Sequence, residues 1–234
     1  MNLLRIKCLF LSILMTCLSP SLSWAAELPW EDLGNDDGVQ VFRQDIPGSP
    51  VVAFMGEGYI DAPLKRVASI LLDCDKAGEW MPNLEECKVL QKIDEQNFVV
   101  YNHIGMPGLL SDREFVTRSR IVIAEDQSKI SVIADSIPAA EVPQVKHVLG
   151  EIHGKWILES REEGKRTWVR TEIHADPKGS IPKWIVNFFQ KKNPVMMFGL
   201  LRERVADSKV VATPRIQEVL ERLLKKPEAP KSQI

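Results

Sequence analysis

The side chains best suited to covalent or proton-transfer chemistry are thinly spread in this chain. The four histidines, His103, His147, His153 and His174, are scattered, and none has an obvious carboxylate partner by spacing for acid–base work. No cysteine–histidine cluster has metal-ligand spacing, so neither a metal nor another cofactor is expected. A different chemistry is concentrated in one stretch. Asp176-Pro177-Lys178-Gly179 turns the chain, Ser180 is the candidate helix cap, and Pro182 sits in the first helical turn. Beyond it Trp184, Ile185, Phe188, Phe189, Met196, Met197, Leu200 and Leu201 recur at three- and four-residue steps, with Lys183, Lys191, Lys192, Arg202 and Arg204 among the polar positions. This spacing predicts a helix to about Val205, with Pro194 kinking it. Phe and Met supply apolar area that tolerates many shapes, which suits an acyl or polycyclic guest; the plainer alternative is that they fill a core.

The elements that must position this helix read mostly as strands. Alternation predicts eight of them, over 39–44, 51–60, 87–93, 97–104, 113–124, 129–137, 146–159 and 166–174. The polar connections Asp94-Glu95-Gln96 and Glu125-Asp126-Gln127-Ser128 make antiparallel hairpins of their flanking strands. One short helix interrupts the series: Asp61 is its expected cap, Pro63 its first turn, and Leu64, Val67, Ala68, Leu71 and Leu72 its buried face. Residues 34–38 read as a loop after an anchoring Trp30. The class is α+β, and the long late helix must either bury its face on the sheet or leave room for something apolar between them.

With 234 residues, 44% apolar and 26% charged, the chain has material for one sizeable core. Arg5 and Lys7, the apolar run from Cys8 to Leu18, and Ser23-Trp24-Ala25 predict a cleaved signal peptide over 1–25, with an uncleaved N-terminal anchor as the alternative, hence an exported protein, periplasmic first and secreted second. One domain is expected over 27–208, followed by a short helix and a disordered tail over 209–234. Loss of the leader moves the formal charge of −2 two units further negative, which argues against a nucleic-acid partner. Cys74 and Cys87 remain; they could form a disulfide in an exported protein or stay two buried thiols, and spacing does not decide.

Several segments in order resemble the START family, the steroidogenic acute regulatory protein-related lipid transfer domains. They are Gly38-Val-Gln-Val-Phe42, Gly56-Glu-Gly-Tyr-Ile60 before the Pro63 helix, Leu72-Asp73 with Trp80, Asp112-Arg113-Glu114-Phe115-Val116, Gly154-Lys155-Trp156-Ile157-Leu158, Asp176 to Trp184, and Leu201-Arg202. The resemblance spans roughly residues 28 to 206. It implies a helix-grip fold, in which a curved antiparallel sheet wraps the C-terminal helix around an internal apolar tunnel. It also implies binding or transfer of one lipid or other apolar molecule, without metal or covalent chemistry. On this reading Trp184, Phe188, Phe189, Met196, Met197 and Leu200 line the tunnel. The loop from Ser136 to Gln144, with Ile137, Pro138, Val142 and Pro143, forms either a lid beside its mouth that makes transient membrane contact or a stiff surface connector. The sterol-binding members place a carboxylate and an arginine on adjacent strands of the cavity; alignment puts Asn102 and Ser119 there, so that charge pair is missing. Asn102, Ser119 and His153 are the expected polar anchors, with a structural hydrogen bond in the sheet as the alternative for His153. Arg113 matches a family arginine and is expected to be structural, with Arg118 and Arg120 on the opposite face of its strand. The expected function is carriage of a lipid by a monomer. The wider helix-grip superfamily also contains cyclases and hydrolases, so an enzyme acting on an apolar substrate in the same cavity is the alternative.

Overall fold

The structure, a computed structural model, describes residues 28–224. The expected signal peptide and the last residues of the tail lie outside them. Ten strands are found: β1 (Glu31–Asp36), β2 (Val39–Gln44), β3 (Ala53–Ile60), β4 (Leu84–Lys92), β5 (Asn97–Ile104), β6 (Arg113–Ile123), β7 (Lys129–Ser136), β8 (Val148–Leu149), β9 (Glu151–Arg161) and β10 (Arg166–Asp176). Four helices accompany them: α1 (Leu64–Leu71), α2 (Cys74–Ala77), α3 (Lys183–Ala206) and α4 (Pro214–Leu224). The strands form one curved sheet in the order β1-β2-β3-β10-β9-β7-β6-β5-β4, antiparallel throughout except where β8 runs parallel beside β6. The long helix α3 packs on β3, β2 and α1. This is the α+β helix-grip arrangement that the resemblance implied.

The departures from the expected elements have local causes. β1 runs through the segment read as a loop, because its residues are exposed on both faces and carry no alternation to read. Gly34, at a φ of +95°, sits where the β1–β2 register shifts. The strand expected over 146–159 breaks at Gly150, where the ring of Phe115 occupies the space a Cβ would need. Asp61 does not cap α1. Pro63 holds the cap position without a side-chain bond, and Asp61 is drawn instead to Arg166 (Nε–Oδ1 2.6 Å). Ser180 likewise caps nothing; Pro182 precedes α3, and Ile181 is buried with Val51 and Val186.

The core lies between the inner face of the sheet, α1, the second half of α3, and α4. Phe198, Leu201, Leu158, Val169 and Leu220 are fully buried there, each contributing roughly 1.5–3 kcal/mol of apolar transfer. Because Leu220 and Ile216 are buried, α4 belongs to the packed domain, which extends past the expected boundary at 208. Asp73 fixes its start by accepting the Thr213 N–H (2.7 Å) and hydroxyl (3.0 Å). Cys74 of α2 and Cys87 of β4 form a disulfide, with Cα atoms 5.4 Å apart.

Candidate functional site

Strand pairing decides which residues face α3. Residues directly opposite each other in an antiparallel pair share a face. Gly58 of β3 lies opposite Val169, Val169 opposite Leu158, Leu158 opposite Ile130, and Ile130 opposite Ile123. Every second residue from this series looks inward, and on β5 the inward residues are Phe98, Val100, Asn102 and Ile104.

The inner face has a filled half and an open half. Over β3, α3 comes so close that only glycine fits. A Cβ on Gly56 would stand 2.6 Å from Pro194 Cβ, and one on Gly58 would stand 2.9 Å from the Phe198 ring. α3 runs through Pro194 without interruption, with that ring buried against the sheet. Over β9 the situation reverses. Gly154 also faces inward, opposite Ile173 and Ala134, yet a Cβ there would meet only the Glu172 carbonyl, at 3.9 Å. Around it Phe98, Val100, Val132 and Trp156 point inward and remain half-buried. Phe98, Val132 and Trp156 pack on the edge of the core cluster; because interiors are close-packed, inward apolar residues that stay half-buried mark the candidate cleft for a guest. This cleft lies between α3 and the β5–β9 part of the sheet.

Its polar groups are few. Asn102 and Ser119 face inward, as expected, and Thr117 joins them: its buried hydroxyl lies 3.2 Å from that of Ser119. Thr117 lies two residues from Ser119 on the same face of β6, so strand alternation is the signal that finds it. Asn102 makes no side-chain hydrogen bond among the described residues, so its amide is free to meet a guest. His153 is a correction. Its register partner is His174 rather than an inward residue, and it lies on the outer face, exposed, with Nδ1 2.9 Å from Asp135. Burial lowers the pKa of the neighbouring His174, which lies 3.0 Å from the Ser49 hydroxyl. On β5, β6, β7, β9 and β10 no inward position carries Asp, Glu or His.

The expected roof is also corrected in part. The phase of α3 is set by Pro194, Phe198 and Leu201, which turns Met197 into the core and leaves Leu200 half-buried at its edge. Trp184 (72% exposed), Phe188 (52%), Phe189 (65%) and Met196 (42%) stand in solvent and do not close a tunnel. Phe188 and Phe189 meet edge to face at 5.6 Å, and Lys192 lies over the Phe188 ring. Nearby, Met106 packs on the cluster of Val51, Ile181 and Val186 beside the first turns of α3. The same loop then exposes Leu109 and Leu110. Sequence reading missed this pair, although two leucines directly after Pro107-Gly108 are a visible signal.

The segment read as a lid does not cover the cleft. Ile137 and Val142 are half-buried rather than exposed, while Pro138 and Pro143 are exposed. Glu141 reaches the outward Arg118 (3.8 Å), and the Lys146 N–H donates to the buried Glu114 carboxylate (3.1 Å), so 137–147 lies on the outer face of β6. Beneath it, burial and then the charge of Glu114 push the Tyr101 phenol up to about 12. Arg113 is structural, as expected, though its partners are backbone carbonyls rather than an acidic residue: buried, it donates from Nε to the Pro177 carbonyl (2.7 Å) and holds the turn into α3. In that turn burial would raise the Asp176 pKa, but Lys183 (2.6 Å) and the Lys178 N–H (2.9 Å) outweigh it and hold the carboxyl below its ordinary value. A groove of about 390 Å³ between α1 and α4 is lined by Lys65, Arg66, Gln217 and Glu221, and lies outside the cleft. Among the described residues no helix is long and apolar enough to cross a membrane.

Comparison with known proteins agrees with this geometry. The START domain family model matches residues 26–209. The human mitochondrial steroidogenic acute regulatory protein is 29% identical over 180 residues, covering 73% of this chain and 61% of its own length. An uncharacterised protein of Pseudomonas aeruginosa is 25% identical over 173 residues, covering 71% of this chain and 81% of that protein. Among solved structures, a STAR-related lipid transfer protein from Xanthomonas axonopodis superposes with a TM-score of 0.66 at 26% identity, covering 75% of this chain and 98% of that one.

Proposed function

The chain belongs to the START domain family, and from that premise we propose that it binds one lipid or other apolar molecule in the cleft between α3 and strands β5–β9 and carries it between membranes. The observation that carries this reading is the half-open inner face: a Cβ on Gly154 would meet only the Glu172 carbonyl, at 3.9 Å, and half-buried apolar residues surround it. Each 100 Å² of guest surface removed from water there contributes roughly 2.5 kcal/mol. Asn102, Thr117 and Ser119 orient the polar end through hydrogen bonds. The sterol-type charge pair is absent at Asn102 and Ser119, which favours a guest with a neutral hydroxyl, ester or amide facing those residues. The names of the human and Xanthomonas relatives, a steroidogenic regulatory protein and a lipid transfer protein, support the lipid class.

Membrane contact falls to the exposed rim rather than to the 137–147 segment. Trp184, Phe188 and Phe189 on α3, and Leu109 and Leu110 of the loop whose Met106 packs by the first turns of α3, offer apolar side chains to a bilayer, and Lys191 and Lys192 suit anionic headgroups. The protein works in an exported compartment, as a monomer; the N-terminal leader pattern and the Cys74–Cys87 bridge support export. The lack of an acid–base pair on the inward strand positions favours a carrier over an enzyme. The test is transfer of a fluorescent phospholipid between donor and acceptor vesicles. Transfer that rises with protein concentration and is lost in Gly154→Trp supports carriage; a rate equal to the protein-free control overturns it.

A further inference from the structure

On the outer face, away from the cleft, His103 and Asp112, nine residues apart, meet His147 from a later segment. β5 and β6 pair with Ile104 opposite Arg113, and β6 and β8 pair with Arg113 beside Val148. That register brings the end of β5 and the residues just before β6 and β8 to one corner. His103 looks outward there, opposite Glu114, and Asp112 and His147 share its face by alternation. His103 Nε2 lies 2.8 Å from Asp112 Oδ2. The other carboxylate oxygen accepts the Met106 N–H at 2.8 Å, which fixes the carboxylate's orientation. The His147 ring stacks on that of His103, with centroids 4.9 Å apart and planes 11° from parallel.

The geometry points to a binding site for a first-row divalent cation of the zinc type, held by His103, Asp112 and His147. One ligand atom from each of the three lies within 4.8 Å of the others, the one such grouping among the described residues. Zinc bonds of about 2.0–2.2 Å in tetrahedral geometry need ligand atoms roughly 3.4 Å apart. His103 and Asp112 are already closer than that, so they open slightly while His147, which is exposed and makes no hydrogen bond among the described residues, swings inward. Two imidazoles and one carboxylate leave a fourth position for water, and this donor set suits zinc, nickel or copper over magnesium or calcium. No spacing rule finds the site, because its ligands come from three different strand ends. Its consequence is mechanical: His147 ends the 137–147 segment, so the ion would staple that segment to β5 on the outer face. The site is independent of the cleft and does not require that a lipid bind there.

The test uses the mature chain, stripped with chelator, with zinc chloride as the probe and magnesium chloride as the control. Calorimetry is expected to give one zinc per chain, and an excess of about a hundredfold over Kd should raise the unfolding midpoint by roughly 5 °C or more. His147→Ala removes an exposed side chain, so the fold survives, and zinc affinity is expected to fall at least tenfold. His153→Ala, which removes the exposed His153–Asp135 pair elsewhere on the sheet, should leave binding unchanged. No zinc binding, or binding that persists in His147→Ala and disappears in His153→Ala, overturns the assignment.

Discussion

The cleft rests on a contrast between two inward glycines, and exchanging each for alanine turns that contrast into a measurement. At Gly56 the new methyl would stand 2.6 Å from Pro194 Cβ and 3.2 Å from Val39 Cγ1. Pro194 is held in α3 by its ring and cannot rotate aside, so helix and sheet must part. Overpacking of that kind costs about 1–3 kcal/mol, and for a domain of this size each kcal/mol moves the midpoint by about 2–4 °C. Gly56→Ala should therefore melt roughly 2–12 °C below the parent. At Gly154 the nearest atom to the new methyl is the Glu172 carbonyl oxygen at 3.9 Å, an ordinary contact. Gly154→Ala meets no resistance and restricts the unfolded chain, so it should be about 0.4–1 kcal/mol more stable than the parent. The assay is thermal unfolding followed by circular dichroism, with urea unfolding to give the free-energy difference. If Gly154→Ala loses as much stability as Gly56→Ala, the inner face over β9 is packed and there is no room for a guest. If Gly154→Leu also folds with near-parent stability but no longer takes up lipid, the free space and the binding site coincide.

Other consequences follow from the same structure. Replacing Cys74 and Cys87 by Ser opens a loop thirteen residues apart in sequence and should cost about 3 kcal/mol in urea unfolding. Trp184→Ala with Phe189→Ala removes exposed rings; stability should stay within about 0.5 kcal/mol of the parent, while vesicle binding in a flotation assay should drop. Lys191→Gln with Lys192→Gln should weaken binding to anionic vesicles by about fivefold per lysine and leave neutral vesicles unaffected. Asp176 has a folded pKa below its ordinary 3.8. Its contribution is thus fully present above that value and is lost as pH falls through the folded pKa. Asp176→Asn should lower stability at pH 7 and flatten the acid limb of a stability–pH profile.

The parts of this molecule that were legible in the sequence are those where one face is buried and the other wet. Along β6, Phe115, Thr117, Ser119 and Ile121 alternate with Val116, Arg118 and Arg120, and the observed register keeps them on opposite faces. Asn102 and Ser119, which the family resemblance puts in the cavity, lie on the inward side of that alternation. β1 left no such trace because it is an exposed edge. His153 was misplaced by a single residue of parity: Gly154 takes the inward position, and a shift of one flips every side chain. The roof failed for a tertiary reason. The helical period of α3 was readable, but its rotation depends on Pro194 and Phe198 finding Gly56 and Gly58 on another element. Apolar residues on two sides of the helix left the sequence without a way to choose which side is buried. The corner of His103, Asp112 and His147 is legible only once β8 is known to run parallel to β6.

The central claim, that the space beside Gly154 holds a lipid, is tested most directly by native mass spectrometry. The protein would be purified without detergent from the host that makes it, with solvent extraction of whatever remains bound. A single additional mass per chain, identified as a lipid after extraction and absent from Gly154→Trp, is the predicted result. A chain that stays bare after incubation with mixed liposomes, at the same mass as Gly154→Trp corrected for the substitution, would contradict it.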